Sequence, residues 1–162
     1  MQQTVISTLL AFVLVSGNVQ AATSEIPVLT SYIQTTNPNI KKDKAEKIAT
    51  SIVEESEIGN VPVALVTAIV EAESTFRSHA VSKEGAVGLM QVHRKSHPDK
   101  ATTAIKGNIS SGISILKDKL KKSKSMEGAL TKYSSNRKGY ASKVYRLKAK
   151  YSRYKEQYYK KV

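Results

Sequence analysis

The sequence predicts a mainly α-helical fold with little or no β-sheet. Apolar residues recur at helical spacing along much of the chain, and no segment alternates apolar and polar residues as a half-buried strand would. The length of 162 residues fits one domain, and a hydrophobic content of 40% is enough for a real core. The expected architecture is therefore one compact helical domain.

Two helices are predicted before residue 60. The segment 25–36 reads as a short helix, which Pro38 ends because proline cannot continue a helix. The next helix starts near Lys41, and Gly59 is placed to stop it. Its apolar positions fall at i, i+3, i+4, i+7 and i+8, which is one helical face. They are Ala45, Ile48, Ala49, Ile52 and Val53.

A third and a last helix are predicted from the same pattern. Asn60 can cap the third helix, with Pro62 in its first turn, where a missing N–H is harmless. Its buried stripe consists of Leu65, Ala68, Ile69 and Ala72. The tail carries a heptad-like stripe of Tyr140, Val144, Leu147, Tyr151, Tyr154 and Tyr158. This pattern predicts a long final helix.

The N-terminal segment resembles an export signal. Val5 to Val15 is almost continuously apolar, and no charged side chain precedes Glu25. The run is too short for a spanning helix, which needs about 20 apolar residues, and it has the length of a signal-peptide core. Small residues before Ala22 predict cleavage after Ala21, although the segment has no Lys or Arg at its start. We therefore expect a signal peptide over residues 1–21, export to the periplasm or cell-wall space, and no stable membrane span, with an uncleaved membrane tether as the alternative.

Positive charge is concentrated in the last 46 residues. The net charge is +13, and Lys117 to Val162 holds 16 Lys and Arg against 3 Asp and Glu. Such a surface attracts a polyanion, and export favours an acidic lipid or wall polymer over nucleic acid. The sequence predicts a main domain over residues 22–140 and a basic, Tyr-rich C-terminal helix over 141–162. That helix packs on the domain, binds a partner, or lies on an acidic surface.

Metal and cofactor chemistry is not expected. The chain has no cysteine, and its 3 histidines are irregularly spaced. No metal-binding string such as His-Glu-x-x-His occurs. We therefore expect neither a metal site nor a cofactor.

Two carboxylates end the third predicted helix. Glu71 lies near the edge of the apolar stripe and is expected to be a solvated charge. Glu73 lies one turn after Ile69 and therefore faces the core or a cleft. Inward polar groups are uncommon unless they are paired or functional. Glu73 is thus either paired with Arg77, four residues on, or catalytic.

The segment after Glu73 resembles the catalytic core of the soluble lytic transglycosylases. That family has an apolar helix ending in Glu-Ser, then Phe, then Ala-x-Ser-x-x-Gly-Ala-x-Gly-Leu-Met-Gln. The matching residues are Glu73, Ser74, Phe76, Ala80, Ser82, Gly85, Ala86, Gly88, Leu89, Met90 and Gln91. Downstream matches are Asn108, Ile109, Gly112, Leu116, Ala129, Tyr133, Tyr140 and Val144. Ser134 stands where the family has Asn, with Asn136 as a replacement two positions on, and residues 92–106 show little of the pattern.

The resemblance implies a lysozyme-like helical domain with a groove for peptidoglycan glycan strands. It implies cleavage of the β-1,4 bond between N-acetylmuramic acid and N-acetylglucosamine without water, leaving a 1,6-anhydro end. Glu73 would act first as general acid and then as general base. Ser74, Met90, Gln91 and Tyr133 would contact the substrate. Cleavage near neutral pH requires a raised pKa for Glu73, which apolar surroundings supply.

Other functions remain compatible with these residues. A hydrolase of the same fold would need a second acid, such as Asp99, near the scissile bond. A non-catalytic glycan-binding protein could retain the groove. The resemblance also fits service to an envelope-spanning secretion or conjugation machine, or to a phage, with the basic C-terminal helix as the contact.

Overall fold

The computed structural model describes residues 25–161, and within them the fold is mainly helical. The helix in residues 25–36 is α1. It is followed by α2 (Lys42–Gly59), α3 (Val63–Ser74), α4 (Ile105–Lys121), α5 (Met126–Tyr133) and α6 (Tyr140–Tyr159). Two short strands, β1 (Ala86–Val87) and β2 (Val92–His93), lie between α3 and α4. The predicted mainly α fold is confirmed. The predicted signal peptide lies outside the described residues.

The small sheet is an antiparallel pair. Ala86 pairs with His93, and Val87 pairs with Val92. The strands are too short to form a layer, so they only brace the loop between α3 and α4. The first predicted helix occupies 25–36 as expected, and the predicted apolar faces of α2 and α3 are buried with the exception of the half-buried Ala72.

The start of α3 differs from the prediction. Asn60 does not cap α3; it follows α2 in the left-handed conformation, with φ 52°, and its N–H donates to the carbonyls of Glu57 and Ser56. Pro62 is instead the residue that precedes the first helical position, Val63. Asparagine suits both positions, because it tolerates a positive φ as well as capping a helix start.

Helix α3 runs through the middle of the domain and is packed chiefly against α6 and α2. Its residues Val66, Ala68, Ile69 and Val70 are fully buried. This explains why its sequence is apolar nearly all round. The last turn of α3, which carries Glu71 and Glu73, therefore follows directly from a buried segment.

Helix α6 packs on the rest of the domain through its tyrosines. Tyr140, Val144 and Tyr151 are buried in the common core, and Tyr154 packs against it. The Tyr151 hydroxyl donates to Glu25 at 2.6 Å, and Lys155 also pairs with Glu25. Tyrosine suits this interface at Tyr151, because its ring is buried while its hydroxyl meets a polar partner.

Glu71 is not solvated, contrary to expectation. Its exposed fraction is 9%, and its two carboxylate oxygens are used separately. Tyr32 donates to one oxygen at 2.5 Å, and Lys150 donates to the other at 2.7 Å. Glu71 therefore joins α1, α3 and α6.

Among the helices of residues 25–161, none combines the length and the apolar character that a membrane span requires.

Candidate active site

A cleft of about 270 Å³ opens beside the end of α3. Its lining residues are Glu73, Ser82, Glu84, Ala86, Gln91, His93, Tyr133, Ser134, Ser135 and Arg137. Larger depressions exist, including one of about 550 Å³ beside Asp43 and Lys106. The smaller cleft is the better candidate site, because polar groups converge there on a half-buried carboxyl.

Glu73 is the half-buried carboxyl in this cleft. Burial raises its pKa above the ordinary value of 4.5, because a low-dielectric setting disfavours the charged form. The Tyr140 hydroxyl and the nearby charges of Arg137 and Lys143 act in the opposite direction without cancelling the rise. A carboxyl in this state can hold a proton above the pH at which an exposed carboxyl loses it.

The alternative pairing of Glu73 with Arg77 does not occur. The Arg77 Nε atom donates instead to the Ser74 carbonyl at 2.9 Å. Within residues 25–161, Glu73 forms no ion pair. Glu73 is therefore a half-buried acid available to a ligand.

Two tyrosines flank Glu73. The Tyr133 hydroxyl donates to the Met90 carbonyl at 2.8 Å. The buried Tyr140 hydroxyl makes no hydrogen bond of normal length in the described part of the chain, yet it faces Glu73 closely enough to lower the pKa of that carboxyl. Burial and the neighbouring Glu73 charge raise the pKa of both phenols, so both remain protonated.

A turn between α3 and α4 forms the opposite wall. The Ser82 hydroxyl accepts from the Ala86 N–H at 3.1 Å, and Gly85 adopts φ 84°. Gly88 has φ 79°, and a Cβ atom there would lie 2.3 Å from the Asn108 side chain. The motif glycines are thus required by backbone conformation at both positions and by close approach at Gly88.

Asn108 holds this turn against α4. Its amide oxygen accepts from the Met90 N–H at 2.8 Å, and its amide nitrogen donates to the Val87 and Thr102 carbonyls at 2.9 and 2.6 Å. Every polar atom of this fully buried amide is used. The downstream Asn108 of the motif therefore shapes the cleft wall and does not face a ligand.

Of the remaining site residues expected from the sequence, Gln91 lines the cleft, whereas Met90 and Ser74 do not. Gln91 lines the cleft, with its Nε2 atom donating to the Ala80 and Gly88 carbonyls at 3.2 and 3.0 Å. Its Oε1 atom is left to accept a hydrogen bond. Met90 is fully buried and lies behind the wall. Ser74 is 1% exposed, and its hydroxyl donates to the Val70 carbonyl at 3.1 Å, so it lies outside the cleft lining.

Three cleft residues with ionisable side chains were not foreseen as site residues from the sequence: Glu84, His93 and Arg137. Glu84 and His93 lie within or beside the motif segment, and that adjacency was the available signal. Arg137 follows Tyr133 in a stretch that departs from the family pattern. The sequence therefore offered no signal for Arg137. Asp99, the expected second acid of a hydrolase, does not line the cleft.

A search of residues 25–161 finds no group of three or more metal-ligating side chains. The fold and the cleft define a class of protein: a helical domain that presents one half-buried acid to a ligand. A family model described as Transglycosylase SLT domain matches residues 50–156, which is most of the chain. The protein belongs to this transglycosylase SLT domain family, whose members act on peptidoglycan. Comparisons with curated proteins and with solved structures gave no match.

Proposed function

We propose that the protein is a peptidoglycan lytic transglycosylase that cleaves the bond between N-acetylmuramic acid and N-acetylglucosamine without water. The observation that carries this proposal is Glu73, a half-buried carboxyl with a raised pKa in a polar cleft of a family member. One carboxyl suffices when the attacking hydroxyl belongs to the substrate.

Glu73 acts twice in the proposed reaction. Protonated Glu73 donates its proton to the glycosidic oxygen as the bond from that oxygen to C1 of the muramic acid breaks. The carboxylate then accepts the proton of the C6 hydroxyl, whose oxygen forms a new bond to C1. The products are a free N-acetylglucosamine hydroxyl and a 1,6-anhydro muramic acid. Glu73 is left protonated for the next cycle. The 2-acetamido group of the substrate shares the positive charge at C1.

The cleft residues have subsidiary proposed roles. The Gln91 Oε1 atom accepts a hydrogen bond from a sugar hydroxyl. Tyr133 borders the reacting sugar and fixes the Met90 backbone through its hydroxyl. Ser74, expected from the resemblance to touch the substrate, is better suited to holding the end of α3 together, since its hydroxyl is committed to Val70.

A second function is favoured by one specific observation. Glu84 lines the same cleft as Glu73, and a hydrolase requires two carboxyl groups facing one bond. In that case Glu84, not Asp99, would activate water. A glycan-binding protein without activity is the third alternative.

A digest of purified peptidoglycan separates these functions. Mass spectrometry of the soluble fragments should show products one water lighter than hydrolytic fragments. Glu73→Gln should abolish them, whereas Glu84→Gln should retain them. Full-mass reducing fragments that disappear with Glu84→Gln would establish the hydrolase. Binding to the glycan without any fragment release would establish the non-catalytic alternative.

Export and a partner at the tail are further parts of the proposal. Cleavage after Ala21 would place Ala22 at the mature N-terminus, and mass measurement of the exported protein tests it.

An envelope-spanning or phage machine would meet the outer face of α6, where Arg146, Arg153 and Lys160 are exposed at seven-residue intervals. Reversing these three charges should leave glycan cleavage intact and abolish recruitment.

A further inference from the structure

We propose that Arg137 binds a carboxylate of the glycan substrate and forms an anion subsite beside Glu73. The proposal rests on peptidoglycan being the substrate and adds a residue that selects for its acidic groups. Arg137 lies in the loop between α5 and α6 and lines the same cleft as Glu73.

The loop holds Arg137 in a defined place. The Ser134 hydroxyl accepts a hydrogen bond from the backbone N–H of Arg137 at 3.2 Å. Ser135 and Asn136 both adopt left-handed conformations, with φ 56° and 64°. Two consecutive non-glycine residues in this region are energetically costly, and such strain is found where a site needs a particular backbone path. This path brings the next residue, Arg137, to the cleft.

Tyr140 fixes the other end of the Arg137 side chain. The guanidinium carbon lies 5.5 Å from the centre of the Tyr140 ring, within the range of a cation–π contact. The guanidinium thus rests on the same tyrosine that faces Glu73. Its N–H groups are left for a planar anion, which a guanidinium can bind with two parallel hydrogen bonds.

The charge of Arg137 is not used inside the fold. In the described part of the chain, it forms no ion pair with a carboxylate. The other cations near the end of α3 are occupied differently. Lys143 donates to the Ala72 carbonyl at 2.9 Å, and Lys150 pairs with Glu71. Arg137 is therefore the cleft cation that an acidic ligand can reach.

The proposed substrate supplies suitable anions. Muramic acid carries a lactyl carboxyl group, which is free in peptide-free strands, and peptide-bearing strands carry carboxylates on the peptide. Pairing with either anion would also offset the effect of Arg137 on Glu73. Because Arg137 lowers the pKa of Glu73, neutralising it favours the protonated acid that the first step needs. An acidic substrate would thereby favour the protonated form of Glu73, which donates its proton to the glycosidic oxygen of that substrate.

Calorimetric binding to the Glu73→Gln protein tests the subsite without cleavage. The three ligands are a peptide-free muramic-acid tetrasaccharide, its peptide-bearing counterpart and chitotetraose, which has no carboxylate. The double variant Glu73→Gln, Arg137→Gln should bind one or both acidic ligands about tenfold more weakly than Glu73→Gln alone, as expected for the loss of a charge-assisted pair. Chitotetraose binding should remain unchanged. Loss with the peptide-free ligand assigns the lactyl group, and loss with the peptide-bearing ligand alone assigns the peptide.

Lys138→Gln is the matched control. Lys138 is exposed in the same loop, has the same charge and does not line the cleft. Equal losses from Lys138→Gln and Arg137→Gln would reduce the effect to net charge and overturn the subsite. An equal loss for chitotetraose, or no loss for either acidic ligand, would also overturn it. Failure of all three glycans to bind Glu73→Gln would instead refute peptidoglycan as the substrate, and the subsite with it.

Discussion

The Tyr133 hydroxyl donates to the Met90 carbonyl at 2.8 Å, a contact that joins α5 to the turn carrying Gln91. Tyr133→Phe should leave this carbonyl, on a fully buried residue, without its partner. Such a loss costs about 1–3 kcal/mol of unfolding free energy. Denaturant titration measures it. Tyr145→Phe removes the same atom from an exposed ring and should change stability by less than about 0.5 kcal/mol. Equal values for the two variants would contradict the role of the contact.

Replacing Glu73 should lower the cleavage rate and change how the stability of the protein depends on pH. Glu73→Gln should lower the cleavage rate at least about 100-fold, the usual minimum for loss of a general acid. Because the pKa of Glu73 is raised in the folded state, the folded protein holds this proton more strongly than the unfolded chain. Stability contributed by this group is full below the ordinary pKa of 4.5 and is lost as pH rises through the folded value.

The glutamine variant should therefore lose less stability than the natural protein as pH rises from 4 toward neutral. Unfolding free energies of both proteins across that window test this sign. A steeper loss for Glu73→Gln would show that the carboxylate is stabilised by the fold, contrary to its burial.

The Tyr140 hydroxyl should set the alkaline limb of the pH–rate profile. Cleavage requires protonated Glu73, so the rate should fall as pH rises above the pKa of this carboxyl. Tyr140 lowers that pKa, and Tyr140→Phe should therefore move the limb to higher pH. The initial rate of fragment release against pH measures the shift. Tyr145→Phe, on the exposed side of α6, should leave the limb in place, and an unmoved limb with Tyr140→Phe would refute the interaction.

Two glycines of the cleft wall should differ when each is replaced by alanine. At Gly85 a Cβ atom meets nothing within 4 Å, so Gly85→Ala suffers only from its φ of 84°, at about 1–2 kcal/mol. At Gly88 the Cβ atom would also lie 2.3 Å from Asn108. Gly88→Ala should cost a further 1–3 kcal/mol or so, as overpacking does, and should impair cleavage. Similar melting curves for the two variants would contradict the close packing against Asn108.

Local patterns predicted most of the fold and identified Glu73 as the candidate acid. Helical periodicity depends on residues a few positions apart, so the faces of α2 and α3 could be read directly from the sequence. Glu73 was identifiable because its neighbours in the chain form a long motif. Its cleft position follows from α3 ending at Ser74.

Contacts between distant residues could not be predicted in this way. The partners of Glu71 are Tyr32, 39 residues before it, and Lys150, 79 residues after it. A charge at the edge of an apolar stripe looks solvated until such partners are known. Arg137 reaches the cleft through the left-handed Ser135 and Asn136, and neither residue type demands that conformation.

Helix α6 connects the tail to the candidate cleft. Its first turn places Tyr140 beside Glu73, and its fourth and fifth turns bring Tyr151 and Lys155 to Glu25. Tyr140 and Tyr151 are separated along the helix axis by roughly 16 Å. A chain shortened within α6 would expose buried core on α1 and α3 and lose the alignment of its acid. Tail and cleft should therefore unfold together in a single transition.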